Sequence, residues 1–275
     1  MRQRSITAFF FAAVMLGGIF GGKIFFFALF AIVSAGCAWE LGSLIFKAED
    51  RFVTLRKIIC AALPTLIFII AGGDILKILP PSPLAFLSVI PLLFALLSTL
   101  ELFLAGKNPF LNIGTYLLSS FYIGLPLVLL ATIPFDSWDA QNEYHPLRVL
   151  ALLLLVWTND TGAYLFGSKF GKHKLLERIS PKKTWEGSIG GAIFAVLGAW
   201  GLSFLIKDFT LQQWLALSVV AAIGSNIGDL VESMLKRSVG VKDSGKFLPG
   251  HGGLLDRFDA FIFCLPFFWL VLQVV

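Results

Sequence analysis

A stretch of charged and glycine residues, from Ser233 to Asp259, interrupts an otherwise apolar sequence. Basic side chains bind phosphate oxygens, glycines let backbone N–H groups approach an anion, and carboxylates hold Mg²⁺. Such a mixture favours a site for an anionic ligand and a metal ion. The alternative is a solvated loop between two membrane helices, which has no need of carboxylates at fixed spacing. The stretch contains three aspartates and five basic residues: Asp243, Asp256, Asp259, Lys236, Arg237, Lys242, Lys246 and Arg257.

A second polar stretch, from Ser180 to Gly191, holds two lysines and a threonine beside three glycines. Pro181 prevents a helix interior at its start, so we expect a loop that leads into a helix. Lys182 and Lys183 allow two interpretations: they bind anionic lipid headgroups as a membrane anchor, or they bind a substrate phosphate. The glycines permit either close helix packing or close approach of a ligand.

The composition indicates the class of protein in which these polar stretches occur. Only 14% of the 275 residues are charged and 57% are hydrophobic, whereas a soluble domain is about 25% charged. We therefore predict an integral membrane protein. Since a transmembrane helix needs about 20 predominantly apolar residues, we expect an all-α, polytopic helical bundle with nine candidate transmembrane spans. They cover residues 5–21, 24–46, 57–79, 83–105, 111–134, 147–167, 187–206, 212–234 and 258–275.

The distribution of lysine and arginine predicts the orientation, because these residues mark the cytoplasmic side of membrane proteins. With nine spans, the loops rich in these residues all fall on the side of the N-terminus, which we expect to be cytoplasmic. Both polar stretches then lie in cytoplasmic loops, 168–186 and 235–257. We predict a bacterial-type inner membrane location and one integrated unit, with N-terminal helices in 1–110 and a catalytic region in 111–275.

Four aspartates are candidates for the site, since they lie within or at the ends of predicted spans, where charged residues are costly and usually functional. Asp160 lies in the sixth span and Asp229 in the eighth. Asp256 and Asp259, three residues apart at the start of the ninth span, can share one helix face. We expect these carboxylates to meet at one depth beneath the two basic loops. The alternative is that each aspartate pairs with a nearby lysine or arginine.

Two glutamates are isolated within the N-terminal spans, Glu40 in the second and Glu101 in the fourth. The sequence leaves two roles open for each of them. They either join the site from the N-terminal half, or form hydrogen bonds between helices or face the membrane interface. The three cysteines, Cys37, Cys60 and Cys264, are scattered in apolar segments and are predicted to be packing residues.

The stretch from Ser233 to Asp259 resembles the signature of the phosphatidate cytidylyltransferases (CDP-diacylglycerol synthases), and it shows no departure from that pattern. The block from Ser180 to Gly191 is also similar to that family. The first half of the chain resembles the family only as a set of apolar spans. The matching signature positions are Ser233, Leu235, Lys236, Arg237, Lys242, Asp243, Gly245, Leu248, Pro249, His251, Gly252, Gly253, Leu254, Asp256, Arg257, Phe258 and Asp259.

The resemblance implies a phospholipid-synthesis enzyme that transfers a cytidylyl group from CTP to phosphatidate, giving CDP-diacylglycerol and pyrophosphate. It implies Mg²⁺ held by Asp229, Asp256 and Asp259, and the position of Asp160 makes it a further candidate ligand. The same aspartates, with Lys236 and Arg237, are the expected catalytic residues. The expected substrate-binding residues are Lys182, Lys183, Thr184, Ser233, Lys242, Asp243, His251, Gly252, Gly253 and Arg257.

The implied chemistry needs charge neutralisation more than a base. A phosphomonoester has a second pKa of about 6, so the phosphate of phosphatidate is already a competent nucleophile at neutral pH. Metal ions and cations must bring two polyanions together for displacement at the α-phosphorus. The expected partners are CTP, phosphatidate and membrane lipids, with no nucleic acid. The family is compatible with a homodimer, which no residue pattern here indicates.

Two other functions compete with this one. A CTP-dependent lipid kinase of the polyprenol type would release CDP without pyrophosphate, and its alcohol acceptor would need a general base. A transporter would also place acidic residues inside its spans. Transporters typically show internal repeats and broken helices at the bilayer midplane, whereas the polar residues here gather near the cytoplasmic edge.

Overall fold

The long apolar runs of the sequence form helices, seen in a computed structural model that describes residues 2–75, 83–135, 143–245, 247 and 252–275. In lipid, a helix satisfies the backbone hydrogen bonds within its own segment. Within the described ranges there are nine helices, one for each predicted span. They are α1 (Arg2–Phe20), α2 (Lys23–Ile45), α3 (Val53–Ile75), α4 (Pro83–Leu104), α5 (Pro109–Thr132), α6 (Pro146–Phe170), α7 (Trp185–Leu205), α8 (Leu211–Ser238) and α9 (Leu255–Val274).

Seven of the described helices, α2, α3 and α5 to α9, are long and apolar enough to cross a membrane. Shorter apolar helices lie within α1 and α4, at Thr7–Phe20 and Pro91–Leu104. The predicted all-α, polytopic membrane fold is confirmed. The division at residue 110 and the cytoplasmic N-terminus stay predictions.

A proline in α3 shows how two helices satisfy each other's backbone. Pro64 lies inside α3 and cannot donate to the carbonyl of Cys60, four residues earlier. The Ser119 hydroxyl of α5 donates to that carbonyl instead, at 3.0 Å. Directly after Ser119, α5 widens into a π-helical turn, Ser120–Gly124. Gly124 packs against Pro64, where an added Cβ would lie 2.9 Å from the proline. The small glycine therefore lets α5 pack on the distorted part of α3.

Glu101 holds three N-terminal helices together. Its two carboxylate oxygens accept from Nε and Nη2 of Arg56, each at 3.0 Å. Tyr116 donates its hydroxyl to the carboxylate at 2.7 Å, and Asn112 donates from Nδ2 at 2.9 Å. The cluster joins α3, α4 and α5 and is buried. Of the two roles open to Glu101, the structure therefore supports hydrogen bonding between helices.

Small residues let α6 and α7 approach closely. A Cβ at Gly191 would lie 2.8 Å from the backbone oxygen of Asn159, and one at Gly162 would lie 3.0 Å from the backbone oxygen of Gly190. These glycines serve close helix packing, one of the two roles predicted for the second polar stretch. The three cysteines are buried, as a packing role requires.

Candidate functional site

A cavity of about 560 Å³ lies among α6, α7, α8 and α9, with Phe11 of α1 at one side. The four predicted aspartates contribute to its wall, together with both lysines of the second polar stretch and one arginine of the first, although they come from four separate parts of the chain. The structure therefore brings together half of the predicted site residues. The predicted residues in the wall are Asp160, Lys182, Lys183, Thr184, Asp229, Asp256, Arg257 and Asp259.

The second polar stretch begins as a strand of a β-hairpin, where the sequence predicted a loop, and continues into a helix as predicted. Strand β1 (Lys174–Leu176) pairs antiparallel with β2 (Ser180–Thr184), which runs directly into α7. Pro181 is compatible with an extended strand that has one free edge, because it removes a backbone donor. The hairpin is tied to α7 by Glu186, whose carboxylate accepts from the backbone N–H of Lys172 at 3.1 Å. The two lysines of β2 thus have a fixed position at the cavity.

Thr184 forms the N-cap of α7, where its Oγ1 accepts from the backbone N–H of Gly187 at 3.2 Å. The side chain is buried. A threonine N-cap satisfies one of the backbone donors that a helix start leaves open. Gly187 and Ser188, in the first turn of α7, also line the cavity. The helix start therefore presents its partial positive charge toward this space.

Lys183 of the hairpin is bound to α8. Its ammonium group lies 2.6 Å from Oδ2 of Asp229 and donates to the backbone oxygen of Asn226 at 3.1 Å. Ser188 of α7 donates its hydroxyl to Oδ1 of the same asparagine at 3.1 Å. Asn226 and Ser188 line the cavity but were not predicted as site residues. The signal that could have found Asn226 is its place one helical turn before Asp229.

Lys236 joins α8 to α9. Its ammonium group lies 2.7 Å from Oδ1 of Asp256 and also pairs with Glu232, one helical turn earlier on α8. The Lys236 side chain is 11% exposed and that of Glu232 is 2% exposed. Glu232 was not predicted as a site residue, although its spacing of four from Lys236 indicates a helical ion pair. Lys236 is not among the described residues that line the cavity.

Asp256 lines the cavity and also accepts hydrogen bonds from the α8–α9 loop, the connection between the two helices at residues 239–254. Its Oδ2 accepts from the backbone N–H of Ser244 at 3.1 Å and of Gly253 at 2.7 Å. Gly252 has a φ of 85°, a backbone conformation that favours glycine. A Cβ there would lie 2.7 Å from Oδ2 of Asp256. The glycines of the signature thus let the loop fold closely around this carboxylate.

The other predicted residues lie on or beside this loop. Arg237 is exposed and donates from Nη1 to the backbone oxygen of Val241 at 2.9 Å. Lys242 and Asp243 are exposed, and Ser233 is half-buried on α8. Among the described residues, these four do not contribute to the cavity wall, and neither do Gly252 and Gly253. His251 lies outside the described residues, as do Lys246, Leu248 and Pro249.

The carboxylates in the cavity provide the hard oxygen ligands that Mg²⁺ prefers. Oδ1 of Asp259 accepts from the backbone N–H of Ala260 at 2.8 Å, and Oδ1 of Asp160 accepts from Nδ2 of Asn159 at 3.3 Å. Within the described ranges, no three His, Cys, Asp or Glu side chains surround one point as a protein-only metal site would. Since Mg²⁺ is usually held by one or two carboxylates and substrate phosphates, the wall fits an ion that arrives with a nucleotide.

The fold and this cavity define a polytopic membrane protein with a charged site suited to phosphate chemistry. The chain belongs to the Cytidylyltransferase family, whose profile matches residues 2–275. It is similar to the phosphatidate cytidylyltransferase of Staphylococcus aureus (strain COL), with 34% identity over 97% of this chain and 96% of that protein. The enzyme of the same name from Staphylococcus saprophyticus is 36% identical over the same shares of the two chains.

A third relative is more similar over a shorter region. The phosphatidate cytidylyltransferase of Staphylococcus haemolyticus is 43% identical over 183 residues, which is 65% of this chain and 66% of that protein. The family resemblance drawn from the signature is therefore confirmed. These matches give no support to the alternative of a CTP-dependent lipid kinase.

Proposed function

We propose that this membrane protein transfers a cytidylyl group from CTP to phosphatidate, giving CDP-diacylglycerol and pyrophosphate. The observation that carries the proposal is the cavity that places Asp160, Asp229 and Asp259 beside Lys182, Lys183 and Arg257. Membership of the cytidylyltransferase family and the names of its relatives support the same reaction.

Catalysis rests on charge and position. A phosphate oxygen of phosphatidate attacks the α-phosphorus of CTP, a phosphorus–oxygen bond forms, and the bond to the departing pyrophosphate breaks. No side chain needs to remove a proton, because a phosphomonoester with a second pKa of about 6 is already deprotonated at neutral pH. The protein has to hold the two anions in line and stabilise the charge that develops on the leaving group.

The charges of the wall explain why a divalent ion belongs to the proposal. Four carboxylates face three basic side chains, so the wall does not by itself attract a nucleoside triphosphate. Asp229, Asp256 and Asp259 are the proposed Mg²⁺ ligands, with Asp160 as a further one, and Asp256 keeps its additional contacts to the loop. When bound there, Mg²⁺ would supply the positive charge that offsets the phosphate charge of the substrates.

The basic residues have separate tasks in the proposal. Lys182 is exposed at the cavity and binds phosphate oxygens of CTP or phosphatidate. Arg257 follows Asp256 and binds the triphosphate and the departing pyrophosphate. Lys183 holds Asp229 against the hairpin, so the position of a metal ligand depends on it. Lys236 holds Asp256 from α8 in the same way.

The lipid reaches the cavity from the membrane. Phe11, Val156 and Trp157 provide an apolar part of the wall, against which acyl chains can lie. We place the cavity at the cytoplasmic face of a bacterial inner membrane, since CTP is a cytosolic substrate and the basic loops lie on this side. A homodimer stays a prediction that rests on the family resemblance.

The test uses the full chain purified in detergent with phosphatidate, CTP and Mg²⁺. Pyrophosphate and CDP-diacylglycerol should form in equal amounts, and only when the divalent ion is present. Asp229→Asn should abolish both products. Asp208→Asn is the matched control, because Asp208 pairs with His145 and Arg148 away from the cavity. CDP without pyrophosphate, or full turnover in Asp229→Asn, would contradict the proposal.

A further inference from the structure

Glu40 of α2 contacts both the α8–α9 loop and the first residue of α9. Its Oε2 accepts from the hydroxyl of Ser244 at 3.0 Å and from the backbone N–H of Leu255 at 2.9 Å. The glutamate is 6% exposed. A buried carboxylate from the N-terminal half of the chain thus contacts the start of α9, where Asp256 and Arg257 lie.

The loop packs tightly against the same face of α2. A Cβ on Gly245 or on Gly253 would overlap the Glu40 carboxylate. Gly36, one turn before Glu40, receives the Leu254 side chain, and a Cβ there would lie 2.6 Å from it. Small residues on both sides therefore let the loop backbone reach the glutamate.

This part of the loop packs against α2 and lies between two cavities. The cavity described above lies on its Asp256 side, and a second cavity of about 630 Å³ lies on its Glu40 side. Ser244 contacts both carboxylates, because its hydroxyl donates to Glu40 and its backbone N–H donates to Asp256. Ser244 is thus hydrogen-bonded to the carboxylates of both Glu40 and Asp256, and Asp256 lines the cavity proposed for the substrate.

The contacts of Glu40 differ from those of a glutamate that serves stability. Both oxygens of Glu101 accept hydrogen bonds, and Arg56 neutralises its charge. Oε1 of Glu40 has no hydrogen-bond partner among the described residues, and Glu40 is one of the residues that line the second cavity. A buried polar atom without a partner destabilises a fold. We therefore expect Glu40 to contribute to activity and not to stability.

We propose that Glu40 is a positioning residue, which sets the place of the α8–α9 loop and so of Asp256 and Arg257 at the reacting phosphates. This inference rests on the proposed function for its kinetic consequence. Its structural consequence, the anchoring of the loop, stands independently of the reaction. Glu40 itself touches no substrate in this role.

The test compares variants of two buried glutamates in the full chain in detergent. Glu40→Ala should lower kcat on the order of 100-fold, as expected when reacting groups are displaced by about 1 Å. It should also speed tryptic cleavage at the exposed residues Arg237 and Lys242, which precede the anchored Ser244. Glu40→Gln keeps an oxygen that accepts from Ser244 and Leu255, and should restore both readouts to near wild type.

Glu101→Gln is the matched control, since it alters a buried glutamate of the N-terminal half that does not touch the loop. It should lower Tm while leaving kcat per folded molecule and the cleavage rate unchanged. If it yields no folded protein, Tyr116→Phe removes one hydrogen bond from the same cluster and replaces it.

The two proposals fail in different ways. Wild-type kcat and wild-type cleavage in Glu40→Ala would overturn the positioning role, as would an equal loss of kcat in Glu101→Gln. A wild-type protein that releases no pyrophosphate would overturn the proposed function alone. The cleavage rates of the Glu40 variants would then still decide whether the glutamate anchors the loop.

Discussion

Lys236 lies 2.7 Å from Asp256 across the contact between α8 and α9, and it also pairs with Glu232. A lysine that the sequence predicted to be catalytic is thus paired with two carboxylates of the protein. The pairing fixes the start of α9, from which Asp256 and Asp259 face the cavity. We therefore expect loss of Lys236 to lower stability, and to lower turnover because Asp256 is then displaced.

Lys236→Met is expected to destabilise the protein by about 3 kcal/mol or more, because it leaves two mostly buried carboxylates without their cation. The measurement is thermal unfolding in detergent. Arg237→Met is the control for stability, since this neighbouring arginine is exposed and bonds only one loop carbonyl in the described structure. Equal Tm values for the two variants would contradict a structural role of Lys236.

Asp259→Asn is expected to separate metal binding from stability. Asp259 is buried and shares the cavity wall with the carboxylates of Asp160, Asp229 and Asp256, so loss of its charge should maintain or raise Tm without divalent ions. Mg²⁺ should raise the Tm of the wild type and have little effect on the variant. Nucleotidyl transfer should fall on the order of 100-fold or more. A wild-type Mg²⁺ response of Tm in Asp259→Asn would remove this residue from the proposed ligands.

The two lysines of β2 are expected to differ in kinetics. Lys182→Ala should raise KM for CTP or phosphatidate with kcat changed only a few-fold, as loss of uniform binding does. Lys183→Ala leaves Asp229 without its counter-ion and should lower kcat on the order of 100-fold. Steady-state kinetics in neutral detergent micelles measure both. Wild-type constants for Lys182→Ala there would favour the alternative that it anchors the protein to anionic lipid.

Gly253→Ala is expected to lower kcat at least about tenfold, because its Cβ would overlap Ser244 and Glu40 and displace the loop. Gly114→Ala in α5 is the control, since no atom lies within 4 Å of its added Cβ. The assay is pyrophosphate release per folded molecule. Normal turnover in Gly253→Ala would show that the loop tolerates movement at this point.

The helices were predictable because the bilayer sets their length and composition. Nine apolar runs in the sequence became nine helices within the described ranges. The convergence of Asp160, Asp229, Asp256 and Asp259 at one cavity also followed from their places along the spans. These features depend on local pattern and on one external constraint, the thickness of the hydrocarbon layer.

The pairing of charges was not predictable in the same way. The alternative that each aspartate pairs with a cation applies to Asp229 and Asp256, whose partners are Lys183 and Lys236. Which cation faces which carboxylate depends on how α6 to α9 pack, and no local pattern sets this. The hairpin before α7 was missed because the four polar residues and the proline of β2 carry only a weak strand preference.

The bond between Glu40 and Leu255 joins residues 215 positions apart in the chain. At about 5 to 20 residues per second, a ribosome needs roughly 10 to 40 seconds to make the chain between them. During that time α2 has been synthesised, but the α8–α9 loop that Glu40 contacts has not been completed. The catalytic geometry is therefore a late event of biosynthesis. A chain that ends before α9 lacks both this bond and the carboxylates of Asp256 and Asp259.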